Sequence, residues 1–474
     1  MTDYRKCVAA FATDVLKVAK AAVVIKENLI ARRSHMKPKH IKKLLLSEIT
    51  TTTQNMLDYV VNPKVDFTRN RKLPFEKIVR AIIEMESKSI TNEMIDIFHD
   101  VSSLPSASAF VQQRQKIKPE FFRDIFKGFT NKLQNHSHSD LTILAVDGSD
   151  IQIPTNSEDK KSYYPSVNGQ KPYNLLHLNA LYNLENHLYT DVVLQGKHDA
   201  NEHSALQEMV DRSPIPKALV IADRGYESYH SMAHIQEKGW YYLIRIKDGT
   251  RGIKNGLDLP DEEEFDVNID LKLTRKQTKE MKELFLKDKN HYKLIAHSHP
   301  FDYLPTKLRK KDSVAFYELK FRIVRFKITE DTYETVITNL DAKEYTPTNL
   351  KKLYAARWGI ETSFRDLKYT IGMLDFHSKK VMCIQQEIYA HLIMYNFAEM
   401  ITSHVVIEKK QRKYTYKANF TVAAHVCRLF LREKTTSPNL ETIIARNIIP
   451  VRPNRHRKRI LTGKVFHSFL YRVA

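Results

Sequence analysis

The chain has 474 residues, room for roughly three domains at about 150 residues each, and 42% of its residues are hydrophobic, enough to bury a substantial core. Its net charge of +21 and pI near 9.5 point to a polyanionic partner, because Lys and Arg that neutralise phosphates release condensed counterions. A membrane is not the expected partner: no apolar run approaches the ~18 residues of a spanning helix, and the N-terminus MTDYRKCVAA lacks a signal-peptide pattern.

Residues 1–135 read as mainly helical, with apolar positions recurring at three and four in EKIVRAIIEM and NEMIDIFHDV and breaks at Pro63, Pro74, Pro105 and Pro119. In LPSASAFVQQRQKIKPEF, Ser106 or Ser108 can cap a short helix whose exposed face would present Gln112, Gln113, Arg114, Gln115 and Lys116. Such a face could read base edges or phosphates in helix-turn-helix fashion, or be an ordinary solvated polar surface. The basic stretches 31–43 and 64–77 leave the same two readings open.

Two short apolar, β-branched runs, Leu141 to Val146 and Ala218 to Ala222, read as buried strands, and each ends on an aspartate, Asp147 in AVDGSDIQIP and Asp223 in IADRGY. Between them, NLLHLNALYNLENHLYTDVVLQG alternates as a strand pair around a turn at Leu184-Glu185-Asn186, and NEHSALQEMV reads as a helix. VAFYELKFRIVRFKI and TYETVITNL follow as half-buried strands at period two. The segment YAARWGIETSFRDLKYTIG then has helical apolar spacing and carries Glu361. A strand, a strand and a helix can bring three carboxylates to one point, where they can hold two Mg²⁺ about 3.5 to 4 Å apart for phosphoryl transfer.

In this third segment Tyr354, Arg357, Glu361 and Lys368 follow one another at steps of three, four and seven, which return to one face of a helix. The arrangement resembles the Y-R-E-K signature of the "insertion sequence four" family of bacterial DDE transposases, and LYAARWGIETSFRDLKYTIGMLDFHSKK with QQEIYAHLIMYN resembles that family over some forty residues. The contexts of Asp147 and Asp223 look like the family's first two motifs. The resemblance implies an α/β, RNase H-like mixed-sheet core interrupted by a β-rich insertion, with helical N- and C-terminal regions. It divides the chain into an end-binding region at 1–135, a core at 136–249 and 341–407, the insertion at 250–340, and a basic helical region at 408–474. The hairpin between the two aspartates fits the RNase H order of three antiparallel strands before the first crossover helix.

The resemblance further implies cut-and-paste transposition. Asp147, Asp223 and Glu361 would bind two Mg²⁺ or Mn²⁺, and the partners would be the inverted ends and target DNA, met as a homodimer in the nucleoid. A DNA hairpin step would need a flipped base, with Tyr354, Arg357, Arg365 and Lys368 as backbone contacts. No tryptophan falls between Gly249 and Leu340, so Tyr333 is the aromatic candidate there. The alternatives are a nuclease or resolvase on the same scaffold, which would cut without joining, and a domesticated DNA-binding protein.

Other polar residues have plainer readings. Asp150 falls on the opposite strand face from Asp147 and is read as structural. Asp191, Asp199 and Glu202 border the second hairpin strand and the next helix, where one could support the metals, but they are read as solvated, as is the acidic run 258–266, which lacks calcium-loop spacing. His297 and His299 have no third ligand nearby for zinc, His203 and His230 are read as surface or helix-end residues, and Cys7, Cys383 and Cys427 form no CxxC.

Overall fold

The computed structural model describes residues 36–451 apart from 70–71, 99–103, 135–139, 168, 248–251, 307–312 and 408–413. In chain order the first part contains helices α1 (Pro38–Thr53), α2 (Phe75–Glu84), α3 (Ile90–Ile97), α4 (Ala107–Arg114) and α5 (Pro119–Gln134). Then come β1 (Thr142–Ile153), β2 (Tyr163–Tyr164), β3 (Tyr173–Asn183), β4 (Leu188–Gly196), α6 (Glu202–Asp211), β5 (Ala218–Ala222), α7 (Tyr229–Glu237) and β6 (Tyr241–Arg245). After these run β7 (Phe265–Thr274), α8 (Lys279–Lys287), β8 (Tyr292–Leu294), β9 (Tyr317–Thr329) and β10 (Thr332–Thr338). The rest holds α9 (Pro347–Ala356), α10 (Trp358–Arg365), α11 (Val381–His404), β11 (Thr415–Ala418), α12 (Phe420–Leu431), α13 (Ser437–Arg446) and β12 (Ile448–Val451). The described residues gather into two compact units, one from 140–147 and 201–358, the other from 36–134, 148–200 and 359–451.

In the first unit β5 pairs in parallel with the start of β1 and with β6. All five residues of β5 are buried, as expected of a parallel strand covered on both faces. Helix α6 leads into β5, its first turn capped by Asn201 accepting from the Ser204 amide at 3.1 Å. Beyond β6 the order continues antiparallel through β10, β9 and β7, with β8 parallel to β7. The alternating stretches read from the sequence are thus β9 and β10, and they extend the sheet of the core.

In the second unit β3 and β4 form the expected antiparallel hairpin, turning through His187 at φ 57°. β3 is buried from Asn174 to Asn183. Helix α11, buried almost throughout its length, packs against β4 of this hairpin. Its polar groups are matched: Asn396 donates to Thr130 Oγ1 at 2.9 Å and to the Tyr189 carbonyl at 2.8 Å. The C-terminal region read as helical also contains the short pair β11–β12, whose four-residue strands are too brief to give a period-two signal. Helices and a mixed sheet alternate along the chain in the order β1, β3, β4, α6, β5, α7, β6, which makes the fold mixed α/β.

Candidate active site

Parallel pairing of β1 with β5 sets Ala145 against Ile221, an offset of 76 (221 − 145). Asp147 and Asp223 have the same offset (223 − 147), so both stand two residues beyond the last paired residues, Asp147 within β1 where its pairing with β5 stops and Asp223 just after the end of β5, on one face of the sheet. Strands lie about 4.8 Å apart, which is within reach of a shared cation. Asp223 begins the tight turn Arg224–Tyr226 and fixes its own carboxylate by accepting from the Gly225 amide at 2.8 Å. A Cβ at Gly225 would lie 2.9 Å from Asp223 Oδ1 and 3.2 Å from Glu202 Oε2, so glycine is what lets these two carboxylates crowd the turn.

The Tyr226 hydroxyl reports the local field. It is buried, has no hydrogen-bond partner among the described residues, and its ionisation is pushed well above the usual range, by burial first and then by Glu202, Asp147 and Asp223. Arg357 opposes them, its guanidinium 4.0 Å from Asp147 Oδ2. The guanidinium also lies over the rings of Trp358, at 5.4 Å, and Tyr354, at 5.8 Å. Tyr354 is buried, whereas Trp358 is 54% exposed.

The four-residue signature does not lie on one continuous α-helix. Tyr354 is on α9, Arg357 is that helix's C-cap, Glu361 is in the first turn of α10, and Lys368 falls in a π-helical turn at Asp366–Ile371. A π-turn inserts a residue relative to α-spacing, so the seven-residue step no longer returns Lys368 to the same face. Within the second unit, α10 is seated by Gly359, where a Cβ would lie 2.8 Å from Leu184 Cδ2, and by Ser363 Oγ, 2.8 Å from the Tyr189 hydroxyl. Lys368 Nζ donates to Ser149 Oγ at 2.8 Å and to the Asp150 carbonyl at 2.7 Å, gripping β1 just past Asp147. Burial lowers its pKa, with Asp150 opposing. Burial alone would raise the Asp150 carboxyl, but His177 and Lys197, each 2.6 Å away, bring it to about 2.

A family model described as a transposase DDE domain matches residues 138–397, more than half of the chain. The chain belongs to the DDE transposases. Among curated proteins it is 22% identical to the transposase InsG for insertion sequence element IS4 of Escherichia coli (strain K12) over 344 residues, covering 69% of this chain and 70% of that one. Among solved structures it is similar to a piggyBac transposase in a synaptic complex with hairpin DNA, at 12% identity and a TM-score of 0.45, over 87% of this chain and 85% of that chain. Transposases of this class act on DNA and generally use divalent metal ions. The donor set fits such an ion: three carboxylates, Asp147, Asp223 and Glu202, act on one buried hydroxyl against a single guanidinium, an excess of negative charge suited to a hard cation.

Glu202, read from the sequence as solvated or as a support for the metals, lies with its carboxylate beside Asp223 at Gly225. Its signal was the spacing of 21 residues to Asp223, which means nothing until α6 is folded back onto β5. The Gln-rich helix is corrected more sharply. Ser106 caps α4 as expected, accepting from the Ala109 amide at 3.2 Å, but Arg114 does not face solvent. It is fully buried, donating to Glu387 at 2.8 Å and to the Cys383 carbonyl at 2.9 Å. Gln112 is exposed, Gln113 half-buried, and Lys116 is drawn toward Asp66 at 3.7 Å. Arg365 is exposed on α10. Tyr333 hydrogen-bonds Glu263 and is covered by the Arg325 guanidinium at 5.1 Å. No helix among the described residues is long and apolar enough to cross a membrane.

Proposed function

We propose that this transposase cuts at the inverted ends of its element and joins the freed ends to target DNA, with Asp147, Asp223 and Glu361 as its catalytic triad. The observation that carries the reading is the matched offset of Asp147 and Asp223, each two residues beyond the last paired residues of the adjacent parallel strands β1 and β5. Glu361 supplies the third carboxylate from α10, and Glu202 supports Asp223 across Gly225. Bound to these oxygens, two Mg²⁺ or Mn²⁺ ions would activate the attacking oxygen and stabilise the leaving one.

The protein's own groups hold the DNA. Arg357, beside Asp147, is the cation for a phosphate next to the cut, where a planar guanidinium can bind two oxygens at once. Trp358, half-exposed next to Arg357, is better placed than the already engaged Tyr333 to stack a flipped base in a hairpin step. Lys368 serves by holding β1 at Ser149 and Asp150, the residues that follow the Asp147 stretch. Cutting two ends together requires at least two protomers, and we assign end recognition to the N-terminal helices. Incubating the purified protein with its flanking DNA and Mg²⁺, and resolving products on a denaturing gel, tests the reading. Nicked, hairpin and joined species support it; cleavage that never leads to joining would make the protein a nuclease.

A further inference from the structure

The transposition chemistry leaves unused a cluster on the first unit made of two histidines and an aspartate. His230 and His234 are four residues apart on α7, which puts both rings on one face of the helix. Their Nε2 atoms are 3.0 Å apart, and Oδ2 of Asp302, from the segment after β8, is 3.4 Å from each. Among the described residues this is the group of His, Cys, Asp and Glu side chains whose donor atoms all lie within 4.8 Å of one another. We propose that His230, His234 and Asp302 form a zinc site that ties α7, the helix following the Asp223 turn, to the loop around Asp302.

Geometry comes first. Four ligands at about 2.0 to 2.1 Å around a tetrahedral zinc have donor edges near 3.3 Å, and the three edges here run from 3.0 to 3.4 Å. The two Nε2 atoms, 3.0 Å apart, are close enough to be bound by one ion. The surroundings favour the metal's protonation state. Both oxygens of Asp211 lie 2.9 Å from His234 Nδ1, which places the ring proton on Nδ1 and turns the Nε2 lone pair inward, as carboxylates behind metal-binding histidines do. The rings are also held in place by aromatic neighbours, Phe301 against His230 at 5.6 Å and Tyr303 against His234 at 5.1 Å.

Donor chemistry then separates this site from the carboxylate site. Two imidazoles and one carboxylate suit Zn²⁺, whereas all-oxygen ligands suit Mg²⁺ and Mn²⁺. Asp302 is largely exposed, so the fourth position faces solvent and would hold water. In the metal-free protein the Asp302 amide, 3.2 Å from His230 Nε2, occupies that lone pair and must give way on binding.

The test uses the full-length protein stripped with a chelator and titrated with Co²⁺ in excess Mg²⁺, which keeps the carboxylate site occupied. One equivalent of Co²⁺ should bind with the intense visible absorption of a four-coordinate ion and be displaced by one equivalent of Zn²⁺. His234→Gln and Asp302→Asn should each weaken binding by about tenfold or more, and Asp211→Asn by on the order of 10-fold. Asp302→Asn changes an exposed side chain, so its folding is not at issue. Asp223→Ala should keep the Co²⁺ spectrum unchanged, which separates this site from the DDE reading. Absence of a four-coordinate spectrum, or Zn²⁺ affinity unaltered in both His234→Gln and Asp302→Asn, would overturn the proposal.

Discussion

Asp147 and Asp223 stand in register with each other, each two residues beyond the paired Ala145 and Ile221 of neighbouring parallel strands. The pairing that ends just before them brings both backbones close, and a carboxylate pair built this way tolerates little crowding. The C-terminal edge of a parallel sheet is where α/β folds gather their ligands.

Gly225→Ala tests that crowding. The new Cβ would approach Asp223 Oδ1 to 2.9 Å and Glu202 Oε2 to 3.2 Å. Displacing a catalytic carboxylate by about 1 Å can cost on the order of 10²-fold in rate, so nicking should fall by that order while the melting temperature barely moves. Undiminished nicking would mean that these oxygens do not serve the reaction.

Arg357 and Lys368 should fail differently. Lys368 is committed to Ser149 and Asp150, so Lys368→Ala should slow nicking and joining alike and lower the melting temperature. Arg357→Lys keeps the charge but loses the fork, and a charged hydrogen bond of about 1.5 to 3 kcal/mol predicts a loss of about ten- to a hundredfold concentrated in the joining step. Time courses resolving nicked from joined DNA check both. Selective loss of joining in Lys368→Ala would instead make that residue a DNA clamp.

Arg114→Ala separates a structural arginine from a DNA-binding one. Removing the guanidinium strands Glu387 in the core, at a cost of about 3 to 5 kcal/mol. The salt dependence of DNA binding, with log affinity falling by about 0.9 per neutralised phosphate for each decade of salt, should keep its slope. A flatter slope would return Arg114 to the DNA surface. That slope should instead fall when Arg455, Arg457, Lys458 and Arg459, which lie outside the described residues, are neutralised.

The same buried cluster sets a pH dependence. Burial alone would raise the Glu387 carboxyl, but Arg114 and His377 hold it down to about 2. A depressed acid gives stability that is present above its unfolded value, about 4.3, and is lost as pH falls toward 2. His377 moves the other way: burial would lower it, yet Glu387 raises it on balance, so its contribution is full below about 6.5 and fades as pH rises through its folded value. Melting temperature against pH should therefore be highest between about 5 and 6.5. In Glu387→Gln both flanks should flatten; a curve of unchanged shape would refute the assignment.

The parts of this protein that were legible in its sequence share a short range. The β-branched runs ending at Asp147 and Asp223, the hairpin turning at Leu184 and the Ser106 cap each depend on neighbours within a few residues. What escaped depends on distant partners. Arg114 sits in a run of Gln and Lys that looks solvated, and its buried partner Glu387 is 273 residues away. His230 and His234 show helical ligand spacing, but Asp302, 72 residues after His230, gives no local sign of joining them. The signature at Tyr354, Arg357, Glu361 and Lys368 identified the family correctly although its helical geometry did not hold, because the π-turn after α10 leaves no mark in apolar periodicity.

The central claim is that Asp147, Asp223 and Glu361 carry the chemistry, and strand cleavage by the three single alanine variants, measured at equal occupancy of DNA ends with Mg²⁺ present, tests it most directly. Removing one carboxylate takes away metal ligands without touching the basic surface. Each variant should bind ends as the wild type does, or slightly tighter, and produce no nick. Near-normal nicking by any one of the three would remove that residue from the triad.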